Sequence, residues 1–359
     1  MKGRVLIAGF ATRHVAQSAF HAGYEVCTVD HFCDQDLAWY TKDREKFTDL
    51  ADLPDAIGRI CRRRTFDYFI PTSGAELLPA PVPLMGTPHQ AMVKLLDKLD
   101  TQHFFESIGV PVPRVLPEGQ YPAMVKPRAG AGGWRNAVIH DEAEMTAWRT
   151  LYEDVPHIRQ EMVPGIAASV CCVTTGSRAM AVTANEQVLR GGSGESAFGF
   201  SGSITPSGHP YCNEMVSLAE RIAAASGCLG TIGVDFVIGD NGPVAIEVNP
   251  RFQGTVDTVE MACGCSLFDL HMEACRGNLP RTPPETWQVA ARKILFADRD
   301  MTVTADLTKV KEFVADIPWP GTFFEEEQAL VSVYGWGPDR GHALAMLDKH
   351  ISTVRQYMR

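Results

Sequence analysis

The sequence predicts an α/β unit on a parallel sheet at the amino end, followed by a larger α+β core. Two observations predict it. Near the start, apolar runs of strand length alternate with helically spaced apolar residues, and from about residue 110 short strand-like segments succeed one another with few helices between them. The length of 359 residues agrees, because compact units of roughly 100–150 residues make two or three of them.

The first run, residues 5–9, is continuously apolar, and Val15, Ala16, Ala19 and Phe20 then recur at helical spacing until Gly23. Residues 25–30 resume an extended pattern, which makes a parallel βαβ unit. Residues 66–70 read as a further strand whose end opens at 71–74 into a loop, the place where such sheets hold ligands. Pro79, Pro81, Pro83 and Pro88 stiffen the connection to a helical stretch over 90–108, closed by Gly109 and Pro111. Strands follow at 123–126, 158–163, 169–173 and within 231–248, with a helix near 214–225. The last segment has strands at 291–296 and 330–333 and a terminal helix from Arg340.

A formal charge of −10 disfavours nucleic-acid or anionic-membrane partners, which need a positive face. The start lacks the apolar core of a secretory leader, and no run of about 20 apolar residues follows, so a cytoplasmic protein is expected. Ten scattered cysteines without a Cys-x-x-Cys pair read as reduced thiols, and His31, His140 and His209 fall in no metal-ligand spacing.

The chemistry concentrates in two places. Residues 231–251 read as a β-hairpin in which Val244, Ile246 and Val248 share one face, forcing Glu247 and Asn249 onto the other about 7 Å apart. A three-residue loop of Asp240, Asn241 and Gly242 sets Asp235 opposite Glu247. Such a hairpin is often just a solvated polar face, but two carboxylates opposed across strands repel unless a cation lies between them. With the Asn249 amide they suit Mg²⁺ bridging nucleotide phosphates, and Arg251 follows for phosphate charge. The second place is a strand ending at Lys126, followed by Pro127, Arg128 and a loop containing Gly130, Gly132 and Gly133. Glycine backbone N–H groups there can wrap phosphate oxygens beside the lysine charge. It is no P-loop, where the lysine follows the glycines.

With these two features about 110 residues apart, the chain resembles the ATP-grasp superfamily over roughly residues 1–350, most specifically in Ala245-Ile-Glu-Val-Asn-Pro-Arg251 and the following Gln253, Glu260 and Ala262-Cys-Gly264. Gly9 to Arg13, Asp30 to Phe32, Asp34, Asn185 to Gln187 and Gly202 to Pro206 are similar to a branch of ATP-dependent carboligases, or carboxylate-amine ligases. The resemblance implies a Rossmann-like domain at 1–88, an ATP-grasp fold at 89–280 with a lid over about 110–165 and a central antiparallel sheet, and a C-terminal segment at 281–359 packed on that core. It implies that Asp235, Glu247 and Asn249 bind Mg²⁺, with Mn²⁺ as a substitute, and that Lys98, Lys126, Gly130, Gly132, Gly133 and the hinge Gln160, Glu161, Met162 and Val163 hold ATP. Arg251 and Lys126 are the expected catalytic charges, and Arg190, Ser193 and Gln253 the substrate candidates.

The implied reaction activates a carboxylate, of an amino acid or a cofactor precursor, as an acyl phosphate and hands it to an amine, both small molecules, with a homodimer as the candidate assembly. Two alternatives stand beside it: bicarbonate activation of the carboxylase type, and an ATP-binding regulatory module with weakened catalysis. The second is suggested by Ala167, where the family's hinge usually continues to a glutamate that holds the ribose hydroxyls. A nicotinamide-binding reading of Gly9-Phe10-Ala11 lacks the third glycine of its fingerprint, since Arg13 and His14 occupy that region.

Overall fold

The computed structural model describes residues 2–130, 132–192 and 195–358. The opening apolar run is β1 (Arg4–Gly9), buried from its second residue onward. It lies between parallel neighbours in a four-stranded sheet with β2 (Glu25–Asp30), β3 (Asp43–Lys46) and β4 (Tyr68–Pro71), in the order β3-β2-β1-β4. The crossovers carry α1 (Arg13–His21), α2 (Leu37–Tyr40) and α3 (Leu53–Arg63). Asp30, at the carboxyl end of β2, accepts from Thr12 N at 2.6 Å and Thr12 Oγ1 at 2.8 Å, which fastens the start of α1 to the sheet edge.

The helical stretch expected over 90–108 is two helices, α4 (His89–Leu96) and α5 (Lys98–Ser107). Asp97 breaks it: its backbone is extended and its carboxylate accepts from Leu99 N and Asp100 N, so it starts a new helix instead of continuing the old one. Next come β5 (Ala123–Pro127), β6 (Ala137–Ile139), α6 (Glu142–Leu151) and β7 (His157–Glu161), an antiparallel sheet in the order β6-β5-β7. Leu116, Val125, Ile139, Met145 and Trp148 form its own small core.

The remainder builds an eight-stranded antiparallel sheet and its covering helices. In chain order these are β8 (Ile166–Thr175), β9 (Ala179–Leu189), β10 (Phe200–Thr205), α7 (Cys212–Ala225), β11 (Leu229–Gly239) and β12 (Gly242–Asn249). Then follow α8 (Val256–Cys263), α9 (Leu267–Cys275), β13 (Val289–Phe296), β14 (Met301–Val303), β15 (Val314–Ala315), β16 (Thr322–Phe324), β17 (Ala329–Gly337) and α10 (Arg340–Tyr357). The sheet order is β12-β11-β8-β9-β10-β13-β17-β15, so the C-terminal strands extend the central sheet by hydrogen bonding to β10 rather than lying upon it, while β14 and β16 pair apart. One sheet face packs on α4, α5 and α7 through Leu95, Phe105, Met215, Ile222, Val170 and Val234. The other packs on α8 and α9, whose Val256 and Phe268 share a core with Phe252 of the loop before α8 and with Val5, Ile7 and Val15 of the first unit. β9 escaped the sequence reading because Asn185, Glu186 and Gln187 interrupt its apolar pattern. All ten cysteines are free thiols, and no helix among the described residues is long and apolar enough to cross a membrane.

Charge clamps the units together. Arg13, 3% exposed, donates from Nη1 and Nη2 to Asp257 of α8 at 2.9 and 2.7 Å and from Nε to Asp316 at 2.9 Å. Arg292 of β13 donates to the other Asp316 oxygen at 3.0 Å, and Tyr334 of β17 donates to Asp257 at 2.6 Å. Burial pushes the Asp257 carboxyl up, but the Arg13 charge and hydrogen bonds outweigh it and hold the group at about 2. Removing one partner of such a buried cluster leaves uncompensated charge, a loss of about 3–5 kcal/mol. Arg13→Met is therefore expected to lower the unfolding free energy by that amount, read as a lower urea midpoint. Because the folded Asp257 titrates below its unfolded value, its contribution is complete above pH ~4 and is lost as pH falls through about 2. Acid titration should accordingly unfold Arg13→Met at a higher pH than the parent; an unchanged acid midpoint would contradict the clamp.

Candidate functional site

A cavity of about 250 Å³ opens between the small sheet and the central one. Lys126, Gly132, Gly133, Gln160, Glu161, Met162, Val163, Asp235 and Glu247 line it together, so the structure brings into one space residues drawn from four separate stretches of sequence. Its apolar walls include Met124, Leu189, Phe198, Phe200 and Ile246.

Asp235 faces Glu247 in the antiparallel register of β11 and β12, but by a different route from the one expected. The hairpin loop has two residues, Asp240 and Asn241, with Gly239 opposite Gly242. Continued regularly, that register would put Ile246 opposite Asp235. A bulge between Asp235 and Phe236 absorbs one extra residue and delivers Glu247 instead. The bulge also corrects the expected faces: Ala245 and Val248 enter the core, whereas Ile246 turns to the cavity beside Glu247.

Burial, and then the facing Glu247, push the Asp235 carboxyl above the usual range, while donors from Asn249 Nδ2 and Gln187 Nε2, each at 2.9 Å, oppose the rise. Gln187 was not read as a site residue. It stands on β9, with β8 between it and β11, where the small Ala167 and Ser169 occupy the neighbouring register positions and leave room for its reach. Ala167 itself lines the cavity. Asn249 stands behind Asp235; its Oδ1 accepts from Arg251 Nη2 at 3.4 Å, and a half-turn of the amide exchanges its oxygen and nitrogen.

Lys126, next to the last residue of β5, is 7% exposed and has no hydrogen-bond acceptor among the described residues. Burial lowers its pKa to about 8, against the attraction of Glu247 and with the repulsion of Lys98. An ammonium buried without a partner is costly, and an anion in the cavity removes that cost. Beyond it, Gly133 holds a positive φ of 72° against the 195–200 segment, and a Cβ there would collide with the carbonyl of Phe198. Lys98 lies outside the cavity walls: from the first turn of α5 its Nζ donates to Gly130 O at 2.8 Å, tying helix to loop. At the far end, β7 stops at Glu161, so Met162 and Val163 run along the cavity outside the sheet ladder, while the Gln160 side chain bonds to Gln102 and Glu161 to Arg114.

Three other expected residues sit elsewhere. Arg251 Nε donates to Glu76 Oε1 at 2.7 Å, a residue of the loop after β4 that the sequence did not single out. Gln253 is buried against Gly233, where a Cβ would collide with its amide, and its Oε1 has no partner. Arg190 stacks 4.0 Å from the Phe296 ring and lies 3.6 Å from Glu327, in a separate surface hollow with Lys293. Ser193 lies outside the described residues.

Residues 95–255 match the family model described as the ATP-grasp domain. An uncharacterized protein of Methanocaldococcus jannaschii is 23% identical over 92% of this chain and 87% of its own length. The carbamoyl phosphate synthase large chain of Thermus thermophilus is 26% identical over 73% of this chain, which spans only 28% of that protein. Among solved structures, the Staphylococcus aureus N5-carboxyaminoimidazole synthetase complexed with ADP superposes with a TM-score of 0.73 at 17% identity, covering 100% of this chain and 98% of that one. The L-amino acid ligase of Bacillus licheniformis gives a TM-score of 0.73 at 15% identity, covering 97% of each.

The opposed carboxylates make one stability test independent of any ligand. With divalent cations chelated, Asp235→Asn removes a like-charge contact worth about 1 kcal/mol. Its melting temperature is expected to match the parent or exceed it by about 2–4 °C. A clear fall in differential scanning calorimetry would mean that the hydrogen bonds Asp235 accepts from Asn249 and Gln187 outweigh the repulsion.

Proposed function

We propose, from the match of residues 95–255 to the ATP-grasp domain, that the chain is an ATP-dependent ligase of the ATP-grasp type that joins a small-molecule carboxylate to an amine through an acyl phosphate. One observation carries the proposal: a single cavity holds an unpaired buried ammonium, Lys126, and an under-compensated carboxylate pair, Asp235 and Glu247. A nucleotide polyphosphate with a divalent cation satisfies both at once.

The two facing carboxylates and a reversible amide are a donor set that suits a hard cation. Mg²⁺ or Mn²⁺ held by Asp235, Glu247 and Asn249 would supply charge neutralisation at the terminal phosphates. The chain's own residues do the rest. Met162 and Val163, with Met124, Leu189 and Ile246, offer an apolar slot for a planar base. Lys126 neutralises phosphate charge where water is scarce, so its field is weakly screened. A carboxylate oxygen attacks the γ-phosphorus and ADP departs; positioning and charge suffice for such a transfer. The glycine loop, already against Phe198, keeps water from the acyl phosphate. Arg251 would meet the transferring group once it exchanges or shares its contact with Glu76.

A second reading, bicarbonate as the activated carboxylate, is supported by the similarity to carbamoyl phosphate synthase. Ala167 keeps a nucleotide sensor in view as well. Product analysis separates the three. A ligase releases ADP and phosphate faster when the right carboxylate and amine are both present, and hydroxylamine traps the activated acyl group. The carboxylase reading predicts stimulation by bicarbonate alone. ATP binding without ADP release across amino acids, small peptides, polyamines and bicarbonate would leave the sensor.

Glu247→Ala is expected to cut ADP release by on the order of 10²-fold or more while the fold survives; turnover at the parent rate would remove Glu247 from the site. Arg251→Lys should stay as slow as Arg251→Ala, because one ammonium cannot reproduce a two-pronged guanidinium contact. Full rescue by lysine in steady-state kinetics would reduce Arg251 to a generic charge.

A further inference from the structure

A second cavity, of about 230 Å³, lies where the carboxyl ends of β1 and β2 meet β13 and β17. Phe200 lines this cavity and the first one alike, so the two spaces share a wall. Phe32, Ile294, Phe324, Leu330 and Val331 make most of its remaining surface apolar. Thr12, Arg13, His14, Asp30, Asp34, Arg292 and Asp316 supply its polar groups.

The charges in and behind this wall do not balance. Asp30, Asp34, Asp36, Asp257 and Asp316 gather around only two guanidiniums, Arg13 and Arg292, and burial lowers the His14 pKa to about 4, leaving it neutral. Four of the five carboxylates are fully engaged. Asp30 accepts from Thr12 N, Thr12 Oγ1, Phe32 N and Cys33 N at 2.6–2.8 Å. Asp36 accepts from the backbone of Asp316 and Ile317, each at 2.9 Å. Asp257 takes both Arg13 prongs, and Asp316 takes Arg13, Arg292 and Ser332.

Asp34 alone has no hydrogen-bond donor and no ion-pair partner among the described residues, although it lines the cavity. Burial, followed by the charges of Asp316, Asp30 and Asp36, pushes its carboxyl well above the usual range, so the group ionises readily only against a cation brought into the cavity. A metal ion does not fit: one free carboxylate is too few for Mg²⁺ or Ca²⁺, and no group of three or more His, Cys, Asp or Glu side chains among the described residues is arranged to hold an ion. An organic ammonium does fit, because it needs one strong acceptor for its charge and an apolar wall for its body.

We propose that this second cavity receives the nucleophile of the reaction, a small primary amine with an apolar body, and that Asp34 holds its ammonium group. The inference rests on the ligase reading and names one of its two substrates. The bound ammonium keeps the Asp34 carboxylate ionised, and once the acyl phosphate has formed it yields one proton to that carboxylate. The freed amine lone pair forms the C–N bond at the acyl carbon, the acyl C–O bond breaks with its electron pair going to phosphate, and the departing phosphate carries the second nitrogen proton.

Titration calorimetry on the full chain, with and without Mg-ATP, tests this with phenethylamine against its neutral counterpart 2-phenylethanol, and with butylamine and 1,4-diaminobutane as size controls. The amine is expected to bind about tenfold or more tightly than the alcohol. Asp34→Asn should bring the two within about twofold while the thermal shift with Mg-ATP persists as the check on folding. Equal affinities in the parent protein overturn the proposal without any variant, as does the absence of binding by all three amines. Kinetics keep the two readings apart. If ADP release proceeds with an amine and Asp34→Asn leaves that amine's KM unchanged, the cavity assignment fails and the ligase reading stands; if no pair releases ADP, the ligase reading fails.

Discussion

A buried guanidinium holds this molecule together. Arg13 leaves the first helix, enters a nest of carboxylates contributed by residues 36, 257 and 316, and so binds the opening sheet to α8 and to the C-terminal strands. Desolvating an arginine is tolerable only because every donor finds an acceptor, including Gln17 for the remaining prong. The orientation of the first sheet follows from that clamp. Both the loop after β4 that carries Glu76 to Arg251 and the second cavity depend on it.

The clamp also gives a standard for judging the other buried charges. Around Arg13 and Arg292 donors and acceptors are matched, which is what a structural network looks like. Lys126, Asp235 and Asp34 depart from it in a consistent way. Lys126 is removed from water and Asp34 and Asp235 are largely so, two of the three lack any partner among the described residues and the third faces a like charge, and each lines a cavity rather than a packed interface. Groups left in that condition beside a clamp whose own charges are matched are where ligands of opposite charge are expected. The two cavities meeting at Phe200 then read as one reaction space, with anion recognition in the first and cation recognition in the second.

Backbone detail sets the distances on which this depends. The bulge at Ile246 is a one-residue irregularity, yet without it Glu247 would point into the core and the cavity would lose one of its two carboxylates. Likewise the absent side chain at Gly133 lets the loop approach the Phe198 carbonyl, and the small residues of β8 let Gln187 cross to Asp235. None of these involves an unusual residue; each is a matter of which neighbour stands where.

Local patterns alone determined a good deal. The parallel opening sheet, the strand ending at Lys126 and the hairpin carrying Asp235 and Glu247 were legible because strand and helix periodicities are short-range and these segments are strongly apolar on one side. The family resemblance was legible because its motif is compact. What no local pattern contains is pairing between distant segments. The facing of Asp235 and Glu247 was anticipated through a three-residue loop, and the structure reaches it through a two-residue loop and a bulge, because register is decided by the whole sheet. β9 was hidden by polar residues that become sensible only when Gln187 meets Asp235 from two strands away. The tertiary structure also decided that Arg251 meets Glu76 and that Arg190 lies apart from the cavity. It alone left Asp34 without a partner, since whether a charge is compensated depends on every element packed around it, and those elements come from residues 12 to 334.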